Sequence, residues 1–165
     1  MIPADDASPD SPSSTPNVER DVELNLETFL PYLLSVASNT ISGGIADLYE
    51  EQFSLSIPEW RIMAVIGRFE GLSAREVAER TAMDKVAVSR ALKRLEDRGY
   101  LNRRMSSRDR RRSVLRLSQQ GRAVHREVAP MAIDYEKRLL ETLTPDERDT
   151  LSQILDRLMQ HAREL

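Results

Sequence analysis

Apolar residues recur at intervals of three and four over much of the chain, a spacing typical of amphipathic helices. The first such stretch starts near Thr28 and continues to about residue 50. Pro31 falls in its first turn, where the missing N–H costs little. Gly43 and Gly44 interrupt the stretch, and this pair indicates either a kink or a place where another backbone approaches closely.

Three further helix starts have the Ser/Thr-x-x-Glu pattern of a capping box, in which two side chains satisfy free backbone N–H groups. The pairs are Ser56 with Glu59, Ser73 with Glu76, and Thr144 with Glu147. They predict helices over about 58–69, 74–81 and 145–162. Asp84 predicts the N-cap of a helix that ends at Gly99, and a longer helix is predicted over about 119–143, kinked at Pro130.

Residues 100–117 form the one stretch with a strand pattern. The runs YLNRRM and SVLRL flank the polar loop SSRDRRR, which predicts a β-hairpin. Residues 1–20 are acidic and rich in Pro and Ser, so we expect a disordered tail there. The predicted fold class is therefore mainly α with one small hairpin.

The net charge of −3 conceals a strong local asymmetry. Residues 1–72 carry 3 basic and 12 acidic side chains, residues 73–118 carry 14 and 6, and residues 119–165 carry 7 and 9. The central block is thus strongly cationic in an acidic protein. Because a partner responds to the local field, this pattern indicates a localised contact with a polyanion. Of the 24 basic residues 21 are arginine, the side chain that binds phosphate and guanine edges in bidentate fashion. GC-rich coding would produce the same excess of Arg over Lys, so this excess alone does not indicate nucleic-acid binding.

Composition excludes several classes of function. The chain has no Cys and two His, which rules out disulfides, a thiol nucleophile and Cys-containing metal sites, so we expect no metal and no cofactor. We find neither a catalytic triad context nor a Gly-rich phosphate loop, and therefore predict that the protein is not an enzyme. No apolar run is long enough to span a membrane and no signal peptide is recognisable, so we expect a cytoplasmic protein without membrane contact.

Residues 73–98 predict a helix-turn-helix: a short helix, a tight connection at Ala82 and Met83, and a longer second helix. In that second helix Val88, Leu92 and Leu95 share one stripe, which we expect to be buried. The polar residues then lie outward or on its flank, as in a helix that enters the major groove of duplex DNA. They are Lys85, Ser89, Arg90, Lys93 and Arg94.

The hairpin adds a second cationic element. Seven of the fourteen residues from Arg103 to Arg116 are arginine, which suits a loop that enters a minor groove or binds phosphates. Asp109 lies among them and lowers the attraction to DNA. We interpret it as a carboxylate that orients Arg111, and the alternative is a solvated turn aspartate.

These segments resemble the MarR family of winged helix-turn-helix transcriptional regulators over roughly residues 28–163. The resemblance is carried by the helix pair, by the run RLEDRGYLNR from 94 to 103, and by DRRRSVLRLSQQG from 109 to 121. The last run is similar to the family's wing signature, with Asp109, Arg110 and Arg111 followed by Ser118 and Gly121.

The resemblance implies a homodimer whose first helix and last two helices interlock, with the second helix of each helix-turn-helix in a major groove and each wing in a minor groove. The amphipathic stripes of the terminal helices also exceed what a small winged-helix core can cover, which independently favours a dimer over a monomer. We predict dimerisation helices over 28–55 and 119–165, a DNA-binding domain over 56–118, a recognition helix over 84–98 and a wing over 100–117. The predicted contacts with double-stranded DNA are Ser73, Lys85, Ser89, Arg90, Lys93, Arg94, Arg103, Arg108, Asp109, Arg110 and Arg111.

Members of the family commonly bind an aromatic or phenolic acid between the dimerisation helices and the winged helix. We predict a repressor that binds an inverted-repeat operator and is released from it by such an effector. The side chains that fit this cleft are Tyr32, Tyr49, Trp60, Arg61 and His125, although each is also explained as an ordinary core or surface residue. The alternative function is a winged-helix module that binds RNA or a protein partner. Tyr100 is the single aromatic of residues 73–118, and sequence-specific RNA binders usually display several, so duplex DNA fits better.

Overall fold

A computed structural model describes residues 23–105 and 113–165. The described part is mainly helical with one two-stranded sheet, as the sequence predicts. The elements in chain order are α1 (Leu30–Phe53), α2 (Ile57–Arg68), α3 (Ala74–Thr81), α4 (Lys85–Asp97), β1 (Leu101–Met105), β2 (Ser113–Leu117), α5 (Gln119–Leu140) and α6 (Pro145–His161). The predicted tail lies outside the described residues.

The three predicted capping boxes are confirmed. At the start of α3 the Ser73 hydroxyl accepts a hydrogen bond from the Glu76 backbone N–H at 3.3 Å, and the Ser73 N–H donates to the Glu76 carboxylate at 2.7 Å. The same exchange opens α6, and at α2 the carboxylate of Glu59 accepts from both the backbone and the hydroxyl of Ser56. Local capping chemistry therefore determines where these helices begin.

Of the two alternatives for Gly43 and Gly44, the close approach of another backbone is wrong. Helix α1 continues through Gly43 and Gly44, and its close neighbour there is a side chain rather than another backbone. A Cβ atom at Gly44 would lie 2.2 Å from the Tyr135 hydroxyl oxygen of α5. Gly44 thus lets α5 pack tightly against α1. Helix α5 likewise runs through Pro130.

The predicted hairpin is confirmed. Strands β1 and β2 are antiparallel, with Leu101 opposite Leu117 and Arg103 opposite Leu115. Leu72, just before α3, forms a further bridge to Leu115, whose N–H donates to the Leu72 carbonyl at 2.7 Å. This third segment ties the hairpin to the helix-turn-helix.

The structure explains why Ser118 and Gly121 stand at the start of α5. The Ser118 hydroxyl caps the helix by accepting from the Gly121 N–H at 2.9 Å, and it donates to the Gly99 carbonyl at 2.6 Å. A Cβ atom at Gly121 would lie 2.1 Å from the Tyr100 carbonyl oxygen, so only glycine fits. Gly99 itself has φ +72°, a left-handed conformation that favours glycine where α4 turns into β1.

A single buried cluster occupies the space between the hairpin and helices α1 to α5. Its largest fully buried side chains are Tyr49, Leu55, Ile62, Met63, Ile66, Val77, Leu92, Leu95, Leu115 and Val128. Helix α1 contributes only its C-terminal part to this cluster, and α6 buries no residue. Among the described residues, no helix is long and apolar enough to cross a membrane.

Candidate nucleic-acid interface

The N-terminal end of helix α4 is capped by a side chain. The carboxylate of Asp84 accepts from the N–H groups of Val86 and Ala87, both at 2.9 Å. Because this cap fixes the first turn, the side chains that follow start from a defined position. The predicted N-cap is confirmed.

The two faces of α4 separate as the sequence predicts. Val88, Leu92 and Leu95 are buried, together with Ala91. The opposite side, which we call the outward face of α4, is exposed and consists of Lys85, Val86, Ser89, Arg90, Lys93 and Arg94. A helix packed on one side and cationic on the other has the form needed to lie in a major groove.

Acidic side chains pair with part of this cationic surface. Lys93 lies 3.2 Å from the Asp97 carboxylate, and Arg103 of β1 lies 2.8 Å from that of Glu96. Within the described part of the chain, Lys85, Arg90 and Arg94 form no ion pair. Their charges are therefore available to a phosphate backbone or to base edges without breaking an existing pair.

The wing is described only at its two strands. Arg103 and its neighbour Arg104 are exposed on β1. The predicted contacts Arg108, Asp109, Arg110 and Arg111, and with them the orientation of Arg111 by Asp109, lie outside the described residues. Ser73 is described, and its hydroxyl forms the cap of α3, while its contact with DNA stays a prediction.

Two features of this surface were missed by the sequence reasoning. Val86 is 58% exposed in the first turn of α4, where an apolar side chain fits the methyl group of a thymine. A cavity of about 640 Å³ lies between α3, α4 and β1, with an apolar floor that includes Ala78 and Leu92 and a charged rim that includes Arg75 and Arg103. Val86 had a sequence signal, because an apolar residue off the buried stripe of a helix has no place in the core.

Three of the five predicted effector residues form one row. The rings of Tyr49 and Trp60 lie 5.8 Å apart, and those of Trp60 and His125 lie 5.6 Å apart. Arg61 of α2 points toward α1, where its guanidinium donates to the Ser42 hydroxyl at 2.8 Å. Tyr32 is far from the row, because 17 residues of continuous helix α1 place it about 25 Å from Tyr49.

Burial changes the protonation behaviour of both ends of this row. It raises the pKa of Tyr49 to about 12, with a smaller contribution from the nearby carboxylate of Glu50. It lowers the pKa of His125, whose ring packs against Gly67 so closely that a Cβ atom there would lie 2.5 Å from Nε2. Tyr49 is therefore a neutral phenol, and His125 favours its neutral form.

Comparison with known proteins agrees with this geometry. A family model described as MarR family matches residues 53–112. The HTH-type transcriptional regulator YfiV of Bacillus subtilis (strain 168) is 26% identical over 126 residues, which cover 74% of this chain and 79% of that protein. The crystal structure of a MarR/EmrR family transcriptional regulator from Acinetobacter sp. ADP1 superposes with a TM-score of 0.80 at 26% identity, over 86% of this chain and all of that one. The chain is thus similar to MarR-family transcriptional regulators, and its residues 53–112 match that family.

A third similar protein has been solved on DNA. The transcriptional repressor CouR, bound to a 23-mer DNA duplex, is 26% identical, with a TM-score of 0.69 over 83% of this chain and 99% of that one. The family match extends from the end of α1 through the helix-turn-helix and β1, and thus contains the whole outward face of α4. These comparisons indicate a regulator and no catalytic family.

Within residues 23–105 and 113–165, no group of three or more His, Asp or Glu side chains is placed to hold a metal ion. The acidic residues near the interface instead pair with cations one turn away or on the neighbouring strand. At this surface the carboxylates therefore orient arginine and lysine side chains.

Proposed function

We propose that this MarR-family regulator binds an inverted-repeat DNA operator as a homodimer and represses transcription by occupying it. The observation that carries the proposal is the outward face of α4, with Lys85, Arg90 and Arg94 unpaired among the described residues beside a capped helix start. CouR, named as a repressor and solved on a DNA duplex, supports the same use of this fold.

The homodimer is supported by apolar side chains that the chain itself leaves uncovered. In α1, Leu30, Leu33 and Leu34 are each more than 40% exposed, and in α6 Leu151, Ile154 and Met159 are as well. Covering such stripes is favourable by roughly 25 cal/mol for each Å² of apolar surface. A second copy offers the same stripes in a symmetric arrangement, which is the commonest solution among soluble oligomers.

Within the DNA contact we assign different roles to different side chains. Ser89 and Arg90 lie toward the start of α4 and are placed to read base edges, with Lys85, Lys93 and Arg94 beside them. Arg103 on β1, held by Glu96, is placed to bind a phosphate. From the sequence, we also assign a contact with the minor groove to the wing. It consists of Arg108, Arg110 and Arg111, with Asp109 as the orienting carboxylate.

The test begins with operators enriched from a random duplex library by the purified protein. Binding is then measured by fluorescence anisotropy for wild type, Arg90→Ala, Arg103→Ala and the control Arg138→Ala, which removes the same charge from the far end of α5. Arg90→Ala should lose about 1 to 3 kcal/mol of discrimination at one base position. Arg103→Ala should weaken all DNA alike and reduce the salt slope by about one.

Two results would refute this assignment. One is the enrichment of sequences without inverted symmetry, and the other is an Arg90→Ala protein with unchanged base preference. If Arg138→Ala matches Arg90→Ala, the effect is only one of net charge. An RNA-binding module would instead prefer single-stranded RNA to the enriched duplex in competition.

The proposed effector is a small aromatic or phenolic acid bound beside the row of Tyr49, Trp60 and His125, with Arg61 as the partner of its carboxylate. Tyr32 is too distant to join it within one chain.

Trp60 is the single tryptophan, so its fluorescence reports directly on this place. A benzoate-type acid should quench Trp60 and release operator DNA, whereas the matching benzyl alcohol should do neither. Quenching that persists unchanged in Arg61→Ala would contradict the assigned carboxylate contact.

A further inference from the structure

Arg98 joins two parts of the chain that are far apart in sequence. It follows the last residue of α4, and its guanidinium reaches back to the C-terminal end of α1. Nη1 donates to the Ser54 carbonyl at 2.8 Å, and Nη2 donates to the Phe53 carbonyl. The end of the recognition helix is thereby bonded to the end of the first helix.

The end of α1 is well suited to receive a cation. The last carbonyl groups of a helix lack partners within it, and the helix dipole places partial negative charge there. Ser54 ends α1 in a left-handed conformation, with φ 49° and its N–H bonded to the Glu50 carbonyl. This turn leaves the carbonyls of Phe53 and Ser54 pointing toward Arg98.

A ring fixes the guanidinium from another side. Arg98 lies over the Tyr100 ring, 4.9 Å from its centroid. Tyr100 is itself anchored, because its N–H donates to the Leu95 carbonyl at 2.8 Å and its carbonyl accepts from the Ser118 N–H at 2.9 Å. A planar cation that bridges two carbonyls and stacks on a ring has little freedom to turn.

We infer that Arg98 is a positioning residue that sets the angle between α4 and α1, and so sets the half-site spacing that the dimer accepts. The inference rests on the proposed function, in which α1 carries part of the dimer contact and α4 enters the major groove. In that dimer one end of α1 packs against the partner, and Arg98 bonds the other end to α4. The Arg98 contact would therefore help to set the distance and angle between the two copies of α4.

A direct contact with phosphate is the competing role for Arg98. The geometry disfavours it, because both terminal nitrogens already donate to carbonyls and the Nη2 contact is partly buried. A phosphate contact would also leave the preferred spacing unchanged when it is lost, because it acts within one half-site. Spacing preference is therefore the measurement that distinguishes the two roles.

The experiment uses the enriched operator with its spacer shortened or lengthened by one base pair. One base pair rotates a half-site by about 34° around the duplex axis, since B-DNA has about 10.5 base pairs per turn. Anisotropy titrations compare wild type, Arg98→Ala, Arg98→Lys and Arg148→Ala on the three spacers and on a duplex with one half-site. Arg148 is a matched control, because it also donates to two backbone carbonyls beyond its own turn: that of Leu140, the last residue of α5, and that of Leu143 in the following connection.

Wild type should favour one spacer. In Arg98→Ala that preference should fall by about fivefold or more, the lower end of ordinary coupling between two sites. Arg98→Lys keeps the charge but cannot bridge both carbonyls in one plane, so it should lose preference too while its affinity for the single half-site stays close to that of wild type. Arg148→Ala should keep the wild-type preference, and thermal melts establish that each variant is folded.

Retained spacing preference in both Arg98 variants would overturn the inference and leave the proposed function intact. An equal loss of spacing preference in Arg148→Ala would also overturn the inference, because a general increase in flexibility of the protein would then explain the result. A wild-type protein that is indifferent to spacing would refute the symmetric-operator function itself.

Discussion

The helices of the winged-helix segment, residues 57–117, and the terminal helices α1 and α6 share an amphipathic pattern but differ in burial. Ile62 in α2 is fully buried, whereas Ile154 in α6 is 45% exposed. The buried face of α2 is covered by α3, α4, α5 and β2, while α6 has no buried residue. An apolar stripe thus predicts a helix and its inward face, but does not reveal whether the same chain covers that face.

Helix α1 contains both situations. Its C-terminal part contributes Ala46 and Tyr49 to the core, while residues 30–40 are exposed throughout. The same continuous helix therefore belongs to the winged-helix core at one end and is exposed at the other, where we propose that the second copy binds. In the proposed dimer, a contact at the buried end, such as that of Arg98, would therefore influence how the two copies bind DNA.

Core truncation should give the largest effect on stability. Ile62→Ala leaves a cavity in a place closed on all sides, and we expect a loss of about 2 to 5 kcal/mol in the free energy of unfolding. Urea unfolding followed by circular dichroism measures it at two protein concentrations. The cost should not depend on concentration, because the contacts lie within one chain.

The matched control is the isoleucine of α6. Ile154→Ala should cost little in dilute protein and more in concentrated protein, because its contacts form only in the dimer. Equal costs for the two isoleucines at both concentrations would show that the proposed difference between the two regions does not exist.

A charge in the terminal helices should disrupt assembly while the winged-helix segment stays folded. Ile154→Asp buries two carboxylates in the proposed symmetric interface, so we expect the dimer dissociation constant to rise by about 100-fold or more. Sedimentation velocity measures the change, and operator affinity should fall with it. Leu165→Asp, at a side chain that is 96% exposed at the chain end, is the control. An intact Ile154→Asp dimer would require a different interface.

The helices and strands could be predicted from the sequence because the patterns that determine them are local. The capping boxes at Ser56, Ser73 and Thr144, and the cap at Asp84, depend on residues within one helical turn. The stripe of Val88, Leu92 and Leu95 repeats with the period of the helix, so its burial followed directly. These features fix the helix-turn-helix and the outward face of α4.

The remainder depends on contacts between distant residues. No spacing in the sequence relates Arg98 to the carbonyl of Ser54, 44 positions away, or Leu72 to Leu115. The row of Tyr49, Trp60 and His125 likewise joins three helices, whereas Tyr32, similar in chemistry, lies far along α1. Residue type suggested these candidates, but only the packing of α1, α2 and α5 decides which of them meet.

His125 lies where α5 packs against α2, and it should make stability depend on pH. Burial lowers its pKa below the ordinary value near 6.5, so the unfolded chain binds more protons than the folded one between those two values. Its contribution to stability is present above pH 6.5 and is lost as the pH falls through the folded pKa.

Thermal melts from pH 5 to 8 should show a flatter dependence of stability on pH for His125→Phe, which keeps a ring against Trp60. The control His161→Gln, at the exposed end of α6, should retain the wild-type dependence, and equal slopes for His125→Phe and wild type would contradict the assignment.

The smallest expected effect concerns the turn of the helix-turn-helix. Ala82 has φ 52°, a left-handed conformation that costs an alanine about 1 kcal/mol and a glycine much less. Ala82→Gly should therefore stabilise the protein slightly, by less than about 1 kcal/mol, because the relief of strain is partly offset by the greater freedom of glycine in the unfolded chain. Ala78→Gly, one turn earlier inside α3, makes the same chemical change in a right-handed helix and should destabilise by about 1 kcal/mol. Urea unfolding of the two variants beside wild type gives both signs in one experiment. Destabilisation by both glycines would mean that the turn is not strained and that Ala82 is held there by packing instead.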